Sequence, residues 1–212
     1  MVNFQMGVID RKEREKVEMK RQILDAARSL FLEQGFEKTS IRNIAEVIEY
    51  SAGTIYLYFK DKNEILFALH VEAFSALMQA MQAGIMGEAD PFERLISLGK
   101  HYLKYAFENP ELYDLMFVMT APMETLECRE EIWCDGERAF ETLKFVVADC
   151  MKAGYFKDAD NETISVMVWS LVHGLATLHL RRRTVIFPEE KRIQLLEDAY
   201  AKFVEILKTY KK

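Results

Sequence analysis

Residues Ser40–Lys62 read SIRNIAEVIEYSAGTIYLYFKDK. Ile41, Ile44, Ala45 and Ile48 recur at helical spacing behind a Thr39-Ser40 cap, which predicts a short helix. The period then breaks, and Ser51 offers a cap for a second helix from Ala52 to Phe59. Within it, Ile55 and Phe59 lie four apart and face a small core. That leaves Ala52, Gly53, Thr54, Tyr56, Leu57 and Tyr58 on the remaining arc. Two short helices joined by about three residues predict a helix-turn-helix, whose second helix enters the DNA major groove. There Gly53 permits close backbone approach, while Thr54 and Tyr56 offer hydroxyls and apolar faces to base edges. Thr39 and Ser40 at one helix start and Lys62 at another suit phosphate oxygens. Taken singly, each tyrosine reads more plainly as half-buried against a larger domain. As a spaced set the residues point to a groove.

The segment resembles the TetR family of bacterial transcriptional regulators, whose signature runs roughly T-[ST]-[IV]-R-x-I-A-x-x-A-G-V-S-x-G-T-[IL]-Y-x-Y-F-x-x-K. Thr39, Ser40, Ile41, Arg42, Ile44, Ala45, Ser51, Gly53, Thr54, Ile55, Tyr56, Tyr58, Phe59 and Lys62 match it, and AARSLFLEQGFEKT matches the helix before. The resemblance spans about Lys20 to Leu69. It implies base contacts from Arg42, Gly53, Thr54 and Tyr56, and phosphate contacts from Thr39, Ser40, Tyr58 and Lys62; Ala52, on the outward arc beside them, is a further base-contact candidate. The departure is Ile48-Glu49-Tyr50 where the family has Ala-Gly-Val. A left-handed Glu49 costs on the order of 1 kcal/mol, so the turn is expected to keep its shape. Tyr50 replaces an inward valine only if its hydroxyl reaches solvent.

Outside this stretch the chain also reads as helical. With nine glycines and four prolines in 212 residues, long helices are expected and a β-sandwich is not. Ile23, Ala26, Ala27, Leu30 and Phe31 form an apolar stripe ended by Gly35. Asp61-Lys62-Asn63-Glu64 opens a long helix through about Ala83, and Asp90-Pro91-Phe92-Glu93 opens another. Asn109-Pro110 stops one helix and starts the next. Gly154 closes a further helix, Asp160 or Asn161 opens the one after it, and Pro188-Glu189-Glu190 opens the last. The expected fold is all-α with about nine to ten helices. Its parts are a polar arm (1–16), a three-helix helix-turn-helix head (17–62), a connecting helix (63–84) and a larger helical bundle (85–212).

Charge is divided between these parts. Residues 1–62 carry 11 basic and 10 acidic side chains, leaving 17 basic and 24 acidic in the remainder. A near-neutral head on an acidic body argues against nonspecific nucleic-acid binding over the whole surface and allows binding at a patch on the head. Cys128, Cys134 and Cys150 have no CxxC spacing, so three free thiols in a reducing cytosol are expected. The apolar run Ile164–Leu180 is short for a span and carries Ser165, Ser170, His173, Thr177 and His179. It reads as a buried helix, and no membrane partner is expected.

In the larger domain Tyr102, Tyr105, Tyr113, Met116, Phe117, Met119 and Met123 are candidates to line an apolar sensing pocket. The competing reading is plain core packing. Trp169, His173 and Gly174 resemble a W-x-x-x-H-G element of one TetR-family branch, which adds Trp169 and His173 as candidates. Arg181, Arg182 and Arg183 follow that helix and suit its C-terminus, or more weakly an anion. Ile193, Leu196, Tyr200, Phe203 and Leu207 repeat at heptad-like intervals. With Leu171, Leu175 and Leu178 they are the expected homodimer interface. No cofactor, no metal site and no catalytic motif is expected. The reading is a cytoplasmic, homodimeric regulator, a repressor released from a palindromic DNA operator by a small apolar or aromatic effector. Rivals are a helical carrier or enzyme without a recognisable motif, and a partner-binding module.

Overall fold

The structure is a computed structural model, and it describes residues 2–119 and 134–211, with side chains from 11 to 119 and from 136 to 211. Nine α-helices lie among these residues. They are α1 (Val2–Gln34), α2 (Ile41–Val47), α3 (Ala52–Tyr56), α4 (Lys62–Ile85), α5 (Pro91–Glu108), α6 (Pro110–Phe117), α7 (Cys134–Lys152), α8 (Asn161–Leu180) and α9 (Arg192–Lys208). The only extended pairing among the described residues is an isolated bridge between Tyr155 and Lys211. The chain is all-α, as the sequence predicts.

Two compact units divide it. The first contains residues 2–72 and 115–119, the second residues 73–114 and 134–211. In the first, Ile23, Ala27 and Phe31 of α1 are buried together with Ile41, Ile44, Ala45, Ile55 and Phe59. Gly35 takes a left-handed φ of 89°, and Phe36 folds back so that its ring lies 5.1 Å from that of Phe31. Helix α1 runs unbroken from Val2, so the polar arm is a helical extension about 20 Å long.

In the second unit, Asp90 caps α5 through bonds from Phe92 N and Glu93 N, with Pro91 at the first helical position. Phe92 stacks on Tyr155 at 4.5 Å. The buried Cys150 thiol donates to Pro91 O at 3.1 Å, and burial pushes its pKa up to about 12, which makes it an inert thiol. Asp160 caps α8. Helices α4 and α8 are long and apolar enough to cross a membrane by length and composition. Along α8, Ile164, Val168, Val172, Leu175 and Ala176 are nevertheless buried inside the fold. The last helix starts later than its proline suggests: Glu189–Lys191 forms a single 3-10 turn and α9 begins at Arg192.

Candidate nucleic-acid interface

Helices α2 and α3 are closed at both ends by their own residues. Ser40 accepts from Asn43 N, and the Asn43 side chain accepts from Ser40 N at 2.9 Å, a reciprocal cap. Glu49 adopts φ 59° after α2. Around it, Tyr50 N donates to Ala45 O at 2.9 Å and Glu49 N to Glu46 O at 3.2 Å. That pair is the bonding of a glycine-type helix stop, built here on a glutamate. The turn keeps its shape, and Tyr50 is 49% exposed, so its hydroxyl reaches solvent as required.

Ser51 then caps α3, accepting from Thr54 N at 3.1 Å. Helix α3 ends at Tyr56, three residues before the expected Phe59, because Leu57 already caps it. Ile55 and Phe59 are buried beneath it. Above them, Tyr56 is 57% and Leu57 81% exposed, Gly53 is exposed, and Ala52, Thr54 and Tyr58 are half-buried. Arg42 is exposed on α2. A Cβ built on Gly53 meets only Ser51 Oγ, at 3.5 Å. The fold therefore tolerates a side chain here. Leu57 shared the outward arc in the sequence but carried no assigned contact. Its exposure, next to Tyr56, adds an apolar face of the kind that meets thymine methyls.

Two phosphate candidates have inward duties. Thr39 is 2% exposed, and its hydroxyl donates to Gly35 O at 2.9 Å. That corrects the expectation of a phosphate contact: the hydroxyl satisfies a carbonyl left open where α1 ends. Lys62 Nζ donates to Phe36 O at 2.7 Å and sits 4.1 Å from the centre of the Phe36 ring. It joins the start of α4 to the turn after α1, and its other ammonium hydrogens stay available.

The matches to known proteins fall on this architecture. Residues 23–69 match the model described as bacterial regulatory proteins, tetR family, and residues 95–202 match a tetracyclin repressor-like C-terminal domain. The chain belongs to the TetR family. This TetR-family transcriptional regulator is 28% identical over 163 residues to HbdR, an HTH-type transcriptional regulator of Aromatoleum sp. (strain CIB), covering 76% of this chain and 70% of that one. It is 35% identical over 82 residues to the fatty acid metabolism regulator protein of Bacillus subtilis (strain 168), covering 38% and 42% of the two chains. In fold it is similar to the fatty acid degradation regulator FadR from Bacillus halodurans, with a TM-score of 0.69 at 19% identity over 89% of this chain and 93% of that one.

The regulator's second unit gathers some of the expected pocket residues. Tyr113 is 1% exposed, with its hydroxyl 2.7 Å from His173 Nδ1, and the Tyr102 hydroxyl lies 3.2 Å from the same nitrogen. Burial lowers the His173 pKa and raises those of both tyrosines. Burial thus favours the neutral imidazole and the neutral phenols, and the Tyr102 hydroxyl also donates to the Tyr113 hydroxyl at 3.4 Å. Trp169 packs 5.7 Å from His173 and stays partly exposed. Tyr105 is tied elsewhere, donating to Ala73 O at 2.9 Å. Met116, Phe117 and Met119 belong to the first unit, and Met123 falls outside the described residues. A groove of about 740 Å³ opens between α5 and α9, lined in part by Ile96, Lys100, Leu103, Phe107, Leu196 and Tyr200.

The expected dimer row is divided between inward and outward residues. Leu175, Leu196, Tyr200 and Leu207 are buried within the chain, and Leu171 and Phe203 are half-buried. Tyr200 donates to Ile96 O at 2.7 Å across Gly99, where a Cβ would come within 2.3 Å of the Tyr200 hydroxyl. Within the heptad-like row, Tyr200 thus anchors α9 on α5. Of the expected dimer row Leu178 and Ile193 are exposed, as are Val166 and Met167 on α8 and Leu195 and Ile206 on α9. Arg181 pairs with Asp114, and Arg182 and Arg183 are exposed beside it.

Proposed function

We propose that this TetR-family regulator is a cytoplasmic homodimeric repressor. Each head sets α3 in a major groove, with Arg42, Ala52, Gly53, Thr54 and Tyr56 at base edges and Ser40, Tyr58 and Lys62 at phosphates. The observation that carries this reading is the outward face of α3, an unforced glycine beside an exposed tyrosine and leucine over a closed core. Two copies associate through the outward apolar residues of α8 and α9, matching a palindromic operator. A small apolar or aromatic effector binds near Tyr102, Tyr113, Trp169 and His173, where a few polar groups converge among apolar ones. Its differential affinity for one spacing of the heads shifts the DNA-binding equilibrium.

The test is selection of the full-length chain on random duplexes, followed by anisotropy titrations over a salt series. A specific site whose affinity falls steeply with salt is expected. Absence of salt-dependent specific binding to any selected sequence contradicts the proposal. Ligands that bind tightly and leave operator affinity unchanged contradict the effector half alone.

A further inference from the structure

The N-terminal extension of α1 has an underside unlike the rest of its helix. Ile23, Ala27 and Phe31 are buried beneath α1. Stepping back along the same face by three and then four residues gives Lys20, Lys16 and Lys12. The stripe turns from apolar to cationic where the body of the head ends. Lys20 marks that edge, its ammonium 5.7 Å from the centre of the Phe59 ring. Phe59 follows directly on Tyr58, one of the phosphate candidates. Past it, Lys16 and Lys12 are exposed and have no ion-pair partner among the described residues, whereas Arg11 pairs with Glu15 and Arg21 with Asp25. Residues 11–21 hold six basic and three acidic side chains, with Glu13 flanking the row. Each step of the row advances about 6 Å along the helix.

We infer that Lys12 and Lys16 grip the phosphate backbone of DNA flanking the head's own half-site, extending the footprint of each protomer without reading sequence. The inference rests on the operator-binding reading above. A single rigid helix carries both the buried stripe and the lysines, so seating the head also seats the row. It leaves the head beside the segment already assigned to phosphate. A row of unpaired cations there is complementary to a polyanion and to nothing else in the head.

The experiment uses the full-length dimer, the selected operator cut at its core, and the same operator extended by about one helical turn on each side. Affinities are measured across a salt series for the unmodified chain, Lys12→Gln/Lys16→Gln and Lys12→Arg/Lys16→Arg. On the extended duplex the glutamine pair is expected to lower the slope of log affinity against log salt by about 2–4, from two lysines in each of two protomers. The arginine pair keeps the slope of the unmodified chain. On the core duplex all three proteins coincide. Equal slopes for the glutamine pair and the unmodified chain on the extended duplex overturn this inference alone. Failure of the unmodified chain to bind either duplex in a salt-dependent way overturns the operator reading and this inference with it.

Discussion

Tyr56 and Tyr113 are the same side chain with opposite fates. Tyr56 stands 57% exposed on a helix of five residues, held from below by Ile55 and Phe59. Tyr113 is 1% exposed, with its hydroxyl 2.7 Å from His173 Nδ1. The first unit spends its packing on holding an outer face still, and the second gathers its aromatic residues inward around a polar cluster. Outward residues in the head should therefore govern DNA affinity with little effect on stability. Inward residues of the second unit should govern stability first.

The largest effect that sharpens this contrast comes from Gly99→Ala. The new methyl must displace the Tyr200 hydroxyl and its bond to Ile96 O, costing about 3 kcal/mol of stability. Chemical unfolding of the variant checks it, and a cost near zero breaks the packing account of α9 on α5. Next comes Glu49→Gly in the head. Relief of the left-handed conformation should raise stability by about 1 kcal/mol. Its operator affinity should also rise, because a negative charge leaves the DNA side. An unchanged denaturation midpoint contradicts the strain at φ 59°.

A smaller effect follows from His173. Burial holds its pKa below the ordinary 6.5, so the unfolded chain takes up the proton first as pH falls. Stability contributed by the neutral ring is present above about pH 6.5 and is lost as pH drops toward the lowered folded value. His173→Asn should flatten that loss in urea melts between pH 7 and pH 5. His179, also lowered by burial, retains a share. An undiminished slope in the variant removes His173 from the pH response.

The same contrast explains what was legible in the sequence. The head is written in local signals: the Ser40 and Ser51 caps, the Gly35 stop, the four-residue spacing of Ile55 and Phe59, and even the left-handed Glu49. Thr39 misled because a threonine before a helix looks alike whether it faces phosphate or turns back on Gly35 O. The Lys62 contact with Phe36 joins residues 26 apart, which no local pattern encodes. In the second unit the row Leu196, Tyr200, Leu207 has the periodicity of any helix seam, on the same chain or between copies. The distinguishing signal was Gly99, far away in sequence, which makes room on α5 for one tyrosine.

The central claim is that the outer face of α3 is shaped for DNA and not by the needs of the fold. Gly53→Ala tests it most directly, through operator affinity by anisotropy beside unfolding of the same preparation. The prediction is stability equal to or up to about 1 kcal/mol above that of the unmodified chain, since alanine favours the helix, together with at least a tenfold loss of operator affinity. Unchanged affinity in the stable variant would contradict it.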